Sequence, residues 1–312
     1  MNFASSRVWA TTTFSFCMLA FTAPAPIAKA VPVSLELDAL RAVQTFPLDK
    51  GDDQAFMLVT GIANGKEFAE QFPKDKPWSV GPKKPVASTN EPVILWKGDL
   101  ADGEFAVVSV TLMQGNLVDA AKNKEYTDKL AAAGKTVAER SKPKLTQTDF
   151  ENLCSQTLTA QLPVIKDIKK TFSRDLKTDH FGGLFNVTLW NNAGKIVKHL
   201  DPIGLTFGEH DGIDPKIYTK LKNTRPNVLI KDPATGEWSE QQLAPLTDDQ
   251  MAIEVKMLEN EIVKVDGKPT RNTTDYVAEL QLKADGKPIK WELGGTPQGK
   301  NDDIHHYWDF AE

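Results

Sequence analysis

The sequence predicts a mainly β protein, an antiparallel β-sandwich with an α-helical insertion and a C-terminal β-meander. Val33, Leu35 and Leu37 alternate with polar residues, which is the period of a strand with one buried face. A run rich in β-branched residues, 105–112, follows the turn-forming pair Asp102-Gly103. Between residues 116 and 176 the apolar spacing becomes helical. With 40% hydrophobic and 25% charged residues, the chain has a globular composition.

Residues 1–30 have the arrangement of a secretory signal peptide. Arg7 precedes an apolar run over 8–21, and Ala28-Lys29-Ala30 supplies small residues where signal peptidase requires them. The run is short and rich in Ser and Thr, unlike a membrane anchor. We therefore expect an exported protein, periplasmic or extracellular, whose mature chain begins near Val31 and has no transmembrane segment.

The net charge limits the kinds of partner that we expect, and the cysteine count limits the disulfides. The precursor has a net charge of −5, and cleavage would remove Arg7 and Lys29 without removing an acid. Such an acidic chain lacks the concentrated basic face that a nucleic-acid partner requires. Of two cysteines, Cys154 alone would survive cleavage, so we expect no intrachain disulfide.

The first part of the sandwich is predicted to span 31–115. The strand near Val33 leads to an acidic loop that contains Asp49, Asp52 and Asp53, and the loop leads directly into an apolar strand at 56–59. Several prolines between 73 and 92 indicate an extended surface connection. Strands follow at 93–96 and 105–112.

The helical insertion is predicted to span 116–176. Tyr126, Leu130 and Val137 lie at helical spacing, and Thr146 with Asp149 forms a capping-box pattern. One face of the following helix would carry an apolar set: Phe150, Leu153, Cys154, Thr157 and Leu158. Pro163 is expected to end or kink this helix, with a second short helix continuing to Phe172.

The second part of the sandwich, 177–248, combines a strand around Val187 with a loop-rich stretch over 201–248. The C-terminal meander, 249–312, is predicted to contain strands near 251–265 and 276–283. Each is followed by Asp-Gly-Lys-Pro, which favours a tight turn. The repeat is either a common turn sequence used twice or the remnant of an internal duplication.

Two stretches together resemble the C2 domain, a calcium- and phospholipid-binding β-sandwich. The acidic turn at Asp49, Asp52 and Asp53, leading into 56–59, is similar to the first calcium loop of that family. The sequence from Asp179 through 187 resembles a step into a later strand, and residues 95–112 would supply the strand pair between them, with a turn at 98–100. The resemblance covers about half of the mature chain.

The resemblance implies a calcium site formed by Asp49, Asp52, Asp53 and Asp179. Calcium-binding members of the family also carry an Asp-x-Asp pair in a later loop, where this chain has Met113-Gln114-Gly115-Asn116. Because calcium takes about six to eight oxygen ligands, the four carboxylates form only part of a site. The alternative interpretation is a solvated turn.

The leading functional hypothesis is an exported, non-enzymatic binding module for a protein or surface partner, with calcium as its one candidate cofactor. The rival is an exported hydrolase of polysaccharide or protein that uses Glu209, His210 and Asp211, the most polar cluster of the loop-rich region. In a third view, the helical insertion docks another chain. Cys154 and the tryptophans Trp190, Trp238, Trp291 and Trp308 are interpreted as core residues.

Overall fold

The computed structural model describes residues 30–44, 52–81, 92–115, 120–141, 145–172, 180–203, 227–231, 234–242, 245–247, 249–265 and 268–291. Within them the protein is mainly β, as predicted from the sequence. Two antiparallel sheets pack together, and two helices cover the outer face of one sheet. None of the described helices is long and apolar enough to cross a membrane.

Sheet A joins the two ends of the chain. Its strands are β1 (Val31–Gln44), β5 (Val93–Leu100), β11 (Gln250–Val265) and β12 (Lys268–Ala284), in the order β11-β12-β1-β5, with β13 (Lys287–Pro288) beside β12. The alternation in β1 places Leu35 and Leu37 in the core, both 0% exposed. A bulge after Leu37 shifts the register, so Leu40 and Ala42 continue the buried row.

Sheet B contains β2 (Asp53–Ala63), β3 (Lys66–Phe72), β4 (Trp78–Val80), β6 (Phe105–Gln114), β7 (His180–Asn192) and β8 (Lys195–Ile203). The order is β3-β2-β6-β7-β8, and β4 pairs with the start of β2. β2 is apolar on both faces because Met57 and Val59 fill the core between the sheets while Phe56 and Leu58 lie against the helices. The acidic loop therefore leads into a fully covered strand.

The helical insertion forms an antiparallel pair, α1 (Ala120–Ala138) and α2 (Gln147–Phe172). The predicted apolar positions are buried, with Tyr126 at 0% and Leu130 at 1% exposure. The predicted capping box is present: the Asp149 amide donates to Thr146 Oγ1 (3.2 Å), and the Thr146 amide donates to Asp149 Oδ2 (3.1 Å).

The expectation that the helix ends at Pro163 is wrong, since α2 runs through it as one helix. The alternative of a kink at Pro163 stays a prediction. Gln161 and Ile165, on either side of the proline, are buried at 1% and 0% exposure. Packing at both positions outweighs the one backbone hydrogen bond that proline cannot donate.

Three sheet predictions also need correction. Residues 227–242 contain a hairpin of β9 (Asn227–Lys231) and β10 (Trp238–Gln242), although the stretch was predicted to be loop-rich. β12 begins at Lys268, well before the predicted 276. The expected turn at 98–100 lies inside β5, and the chain instead turns at Asp102-Gly103, where it crosses from sheet A to sheet B. The polar sequences of β10 and early β12 lack the apolar alternation that would have revealed them.

The two ends of the sandwich differ. At the turn end, the turns at 64–65, 102–103, 193–194 and 285–286 contact one another or neighbouring strands through hydrogen bonds, for example from Gly103 N to Asn191 O (2.8 Å). We call the opposite end, where Asp52 and Asp53 lie, the acidic end. There β2 begins, β6 ends and β7 begins. Longer connections therefore leave sheet B at the acidic end.

Candidate functional site

The strand register brings two of the predicted acidic segments to one end of sheet B. Ala55 of β2 pairs with Gln114 of β6, and Gln114 pairs with His180, the first residue of β7. The starts of β2 and β7 are thus two strand spacings apart, about 10 Å. Asp52 and Asp53 lie at the start of β2, while Asp179 precedes His180 in the chain. Asp49 and Asp179 themselves lie outside the described residues.

Asp52 is held against β4. Ser79 Oγ donates a hydrogen bond to Asp52 Oδ2 (3.0 Å). A Cβ atom on Gly81 would come within 2.3 Å of Asp52 Oδ1, so a larger residue there would require the Asp52 side chain to move. The carboxylate is therefore positioned by its neighbours, as a ligand group would have to be.

Asp53 links the two sheets. The hydroxyl of Tyr276, a core residue of β12, lies 3.5 Å from Asp53 Oδ2, a long hydrogen bond. Asp52 and Asp53 are both half-buried. Over the described ranges, no cluster of three or more His, Cys, Asp or Glu side chains has the arrangement of a metal site. With two of its four residues outside those ranges, the calcium site stays a prediction.

The rival hydrolase site cannot be placed in the same way. Glu209, His210 and Asp211 lie outside the described residues, so this hypothesis also stays a prediction. The tryptophan prediction holds where the side chain is described: Trp190 and Trp291 are core residues at 3% and 9% exposure. Trp308 and the side chain of Trp238 are not among the described parts.

Charged residues are buried on the outer face of sheet A, which sequence reasoning missed. Arg41 Nε donates to Glu279 Oε1 (2.9 Å), and both side chains are at most 2% exposed. Beside them, Lys283 Nζ donates to Glu36 Oε2 (2.6 Å). The alternation of β1 predicts that Glu36 faces outward, and the bulge after Leu37 brings Arg41 to the same face. An outward position normally means exposure. We call Glu36, Asp38, Arg41, Glu279 and Lys283 the ionic layer.

Asp38 is the least compensated member of the ionic layer. Its Oδ2 accepts a hydrogen bond from Gln250 Nε2 (2.8 Å). Burial raises the pKa of the Asp38 carboxyl, the Gln250 bond opposes that rise, and the negative charge of Glu36 adds to it. No recurring sequence spacing signals such a layer, because its members lie on β1 and β12, at opposite ends of the chain.

A second set of buried polar side chains lies between sheet B and the helices. Thr60, Ser109, Asn186 and Asp201 stand directly opposite one another on β2, β6, β7 and β8, and we call them the polar ladder. Gln161 of α2 joins two of its members: its Nε2 donates to Ser109 Oγ (2.8 Å), and its Oε1 accepts from Asn186 Nδ2 (2.7 Å).

Cys154 lies on α2 near the edge of this ladder and is 3% exposed. Burial raises the pKa of the Cys154 thiol far above its usual value, and the negative charge of Asp201 raises it further, against an opposing contribution from Thr188. His199 Nε2 lies 2.7 Å from Asp201 Oδ1. Because a nucleophilic cysteine needs a lowered pKa, Cys154 is a packing residue, as predicted.

The candidate site is thus an acidic segment at one end of sheet B. The ionic layer and the polar ladder, which the sequence did not reveal, lie elsewhere in the two sheets. No protein-family model, no curated protein and no solved structure matches this chain.

Proposed function

We propose that the protein is an exported binding module of C2-like type that takes up calcium at the acidic end of its sandwich. The observation that supports this most directly is the register Ala55–Gln114–His180. It brings the start of β2, beside Asp52, and the start of β7, which follows Asp179 in the sequence, to within about 10 Å at one sheet end.

The chemistry of the acidic end suits a hard cation. Calcium prefers carboxylate and carbonyl oxygens, and Asp49, Asp52, Asp53 and Asp179 would supply the carboxylates. Asp52 is already oriented by Ser79 Oγ, which reduces the ordering cost of binding. A bound cation would also reduce the repulsion among carboxylates that converge on one edge.

Export and partner binding belong to the same proposal. The leader-like residues 1–30 support export to the periplasm or the medium. Calcium would order the loops of the acidic end, and those loops would then contact a protein or surface partner. Binding through loops on a rigid sheet framework is common, because loops tolerate the residues that recognition requires.

Calorimetric titration of the chain with calcium chloride tests the proposal. We expect binding heat and a rise in melting temperature, since a ligand at about 100 times its Kd stabilises the folded state by about 2.7 kcal/mol. The double variant Asp52→Asn/Asp53→Asn should lose both effects.

The matched control is Asp285→Asn at the turn end. This change also removes a carboxylate, and asparagine tolerates the positive φ of 50° at that position. Asp285→Asn should bind calcium like the wild type. Absence of heat and of a melting shift in the wild-type protein would overturn the calcium site.

A further inference from the structure

We infer that α1 and α2 form a flap, which opens from sheet B as one unit while the two sheets stay folded. The pair is joined to the sheet at one end only, since it follows the end of β6 and precedes the start of β7, both at the acidic end. The end of α1 and the start of α2, which we call its tip, lie at the turn end.

Two side-chain contacts fix this orientation. Near the start of α1, the Tyr126 hydroxyl lies 3.2 Å from Thr111 Oγ1, close to the end of β6. Near the end of α1, Lys135 Nζ pairs with Glu67 Oε1 (3.1 Å) on β3, beside the turn at 64–65. α1 therefore runs from the acidic end to the turn end, and α2 runs back.

The middle of the interface between flap and sheet is polar. Gln161 spans Ser109 and Asn186, as described above. Thr60 Oγ1, Thr157 Oγ1 and Asn186 Oδ1 are buried there without a hydrogen-bond partner in the described parts of the chain. Burial of such groups is unfavourable, so opening, which hydrates them, is less costly than detachment of a wholly apolar interface.

Two apolar clusters hold the flap on either side of the polar ladder. The tip cluster is built around Phe150, whose ring stacks on Trp190 with centroids 5.7 Å apart, together with Leu153 and Cys154. The other cluster packs Leu130 and Ile165 against residues of β2, β6 and β7 at the acidic end. Loss of the tip cluster would free the end of the flap that has no covalent attachment to the sheet.

The intrinsic stability of the two helices is low. α1 contains Gly134 and has no acidic residue in its first turn, and α2 contains Pro163. These features lower intrinsic helix stability. The free energy of opening a unit with low local stability is smaller than the free energy of global unfolding. In this protein that unit is the flap.

Cys154 provides the test, because its thiol lies on α2 and is buried against sheet B while the flap is closed. In the full chain with Cys17→Ser, labelling of Cys154 by dithiobis(nitrobenzoate) is followed at increasing urea concentration. Global unfolding is followed separately by far-ultraviolet circular dichroism. We expect labelling through an opening with a smaller urea dependence than global unfolding, since less surface is exposed. Equal urea dependence and equal free energy would overturn the inference.

Two variants separate the flap from the whole molecule. Phe150→Leu weakens the tip cluster and should speed the labelling of Cys154 about tenfold in the absence of urea. Ile253→Val weakens the core of sheet A and should lower the global unfolding midpoint while leaving labelling within about twofold of wild type. If Ile253→Val speeds labelling in proportion to its loss of global stability, Cys154 is reached by global unfolding and the flap does not exist.

Discussion

Asp38, in the ionic layer, shows how one buried carboxyl group makes the free energy of unfolding depend on pH. Its carboxyl group is 3% exposed and has a pKa raised above the ordinary 3.8. In the unfolded chain the group ionises at its ordinary pKa, so above the raised value the folded state alone must hold a buried charge. Stability contributed by this group is therefore lost as pH rises through the raised pKa and regained as pH falls.

Replacement Asp38→Asn should raise the free energy of unfolding at pH 7. Asparagine keeps an oxygen that can accept the Gln250 hydrogen bond, while the buried charge disappears. We expect a gain of about 1 kcal/mol in urea denaturation, the usual scale for one buried polar group. The gain should shrink as pH falls through the raised pKa of wild-type Asp38, where its carboxyl takes up a proton.

In contrast to Asp38→Asn, we expect Arg41→Met to lower the free energy of unfolding. This change removes the Arg41 guanidinium from the carboxylate of Glu279, which is 0% exposed. Loss of one partner of such a pair typically costs about 3–5 kcal/mol. If Asp38→Asn and Arg41→Met shift the urea midpoint in the same direction, the assigned roles in the ionic layer are wrong.

Two threonines on the face under the flap make a matched pair. Thr60 Oγ1 has no partner in the described residues, whereas Thr111 Oγ1 lies 3.2 Å from the Tyr126 hydroxyl. Thr60→Val should stabilise the protein or leave its urea midpoint unchanged. Thr111→Val should destabilise it by about 1 kcal/mol, because Tyr126 loses a buried hydrogen bond. Equal effects would contradict this difference.

At the scale of elements, sequence patterns were informative wherever the interaction is local. The capping box of α2 and the apolar face from Phe150 to Leu158 were both predicted, because a helix brings together residues three or four positions apart. The expected helix end at Pro163 was wrong, since the continuity of α2 depends on packing against distant strands. The ionic layer was missed for the same reason.

Thr146→Ala tests the start of α2. The Thr146 hydroxyl accepts from the Asp149 amide, and its loss should lower stability by about 1 kcal/mol. Thr136→Ala is the control, because that hydroxyl bonds back to Ala132 O inside α1, at an exposed position. Alanine is the better helix former there, so its urea midpoint should stay the same or rise.

At the scale of the whole molecule, the helices act as a required layer. Phe56, Leu58, Met113 and Leu184 of sheet B are buried against them. Deletion of 116–176 would expose this apolar face, and large exposed apolar patches lead to association. We expect the deleted protein to elute as aggregates in size-exclusion chromatography. A soluble, monomeric sandwich would show that the helices are dispensable for folding.

The sandwich and its helical layer were predictable from alternation and composition, but the strand order was not. Nothing in the pattern of β1 specifies that β12 is its neighbour, because many apolar strands would fit beside it. The convergence of Asp52 with the start of β7 also depends on that order. Long-range pairing is decided by packing across the whole domain, which no local pattern encodes.

The pairing of Val33 with Ala284 has a consequence for biosynthesis. β1 is synthesised before the other described strands, whereas its partner β12 follows all of them except β13. Throughout translation β1 has β5 available on one edge only, and sheet A cannot close. Formation of contacts at such sequence separation is slow, so completion of sheet A has to wait until β12 has been synthesised.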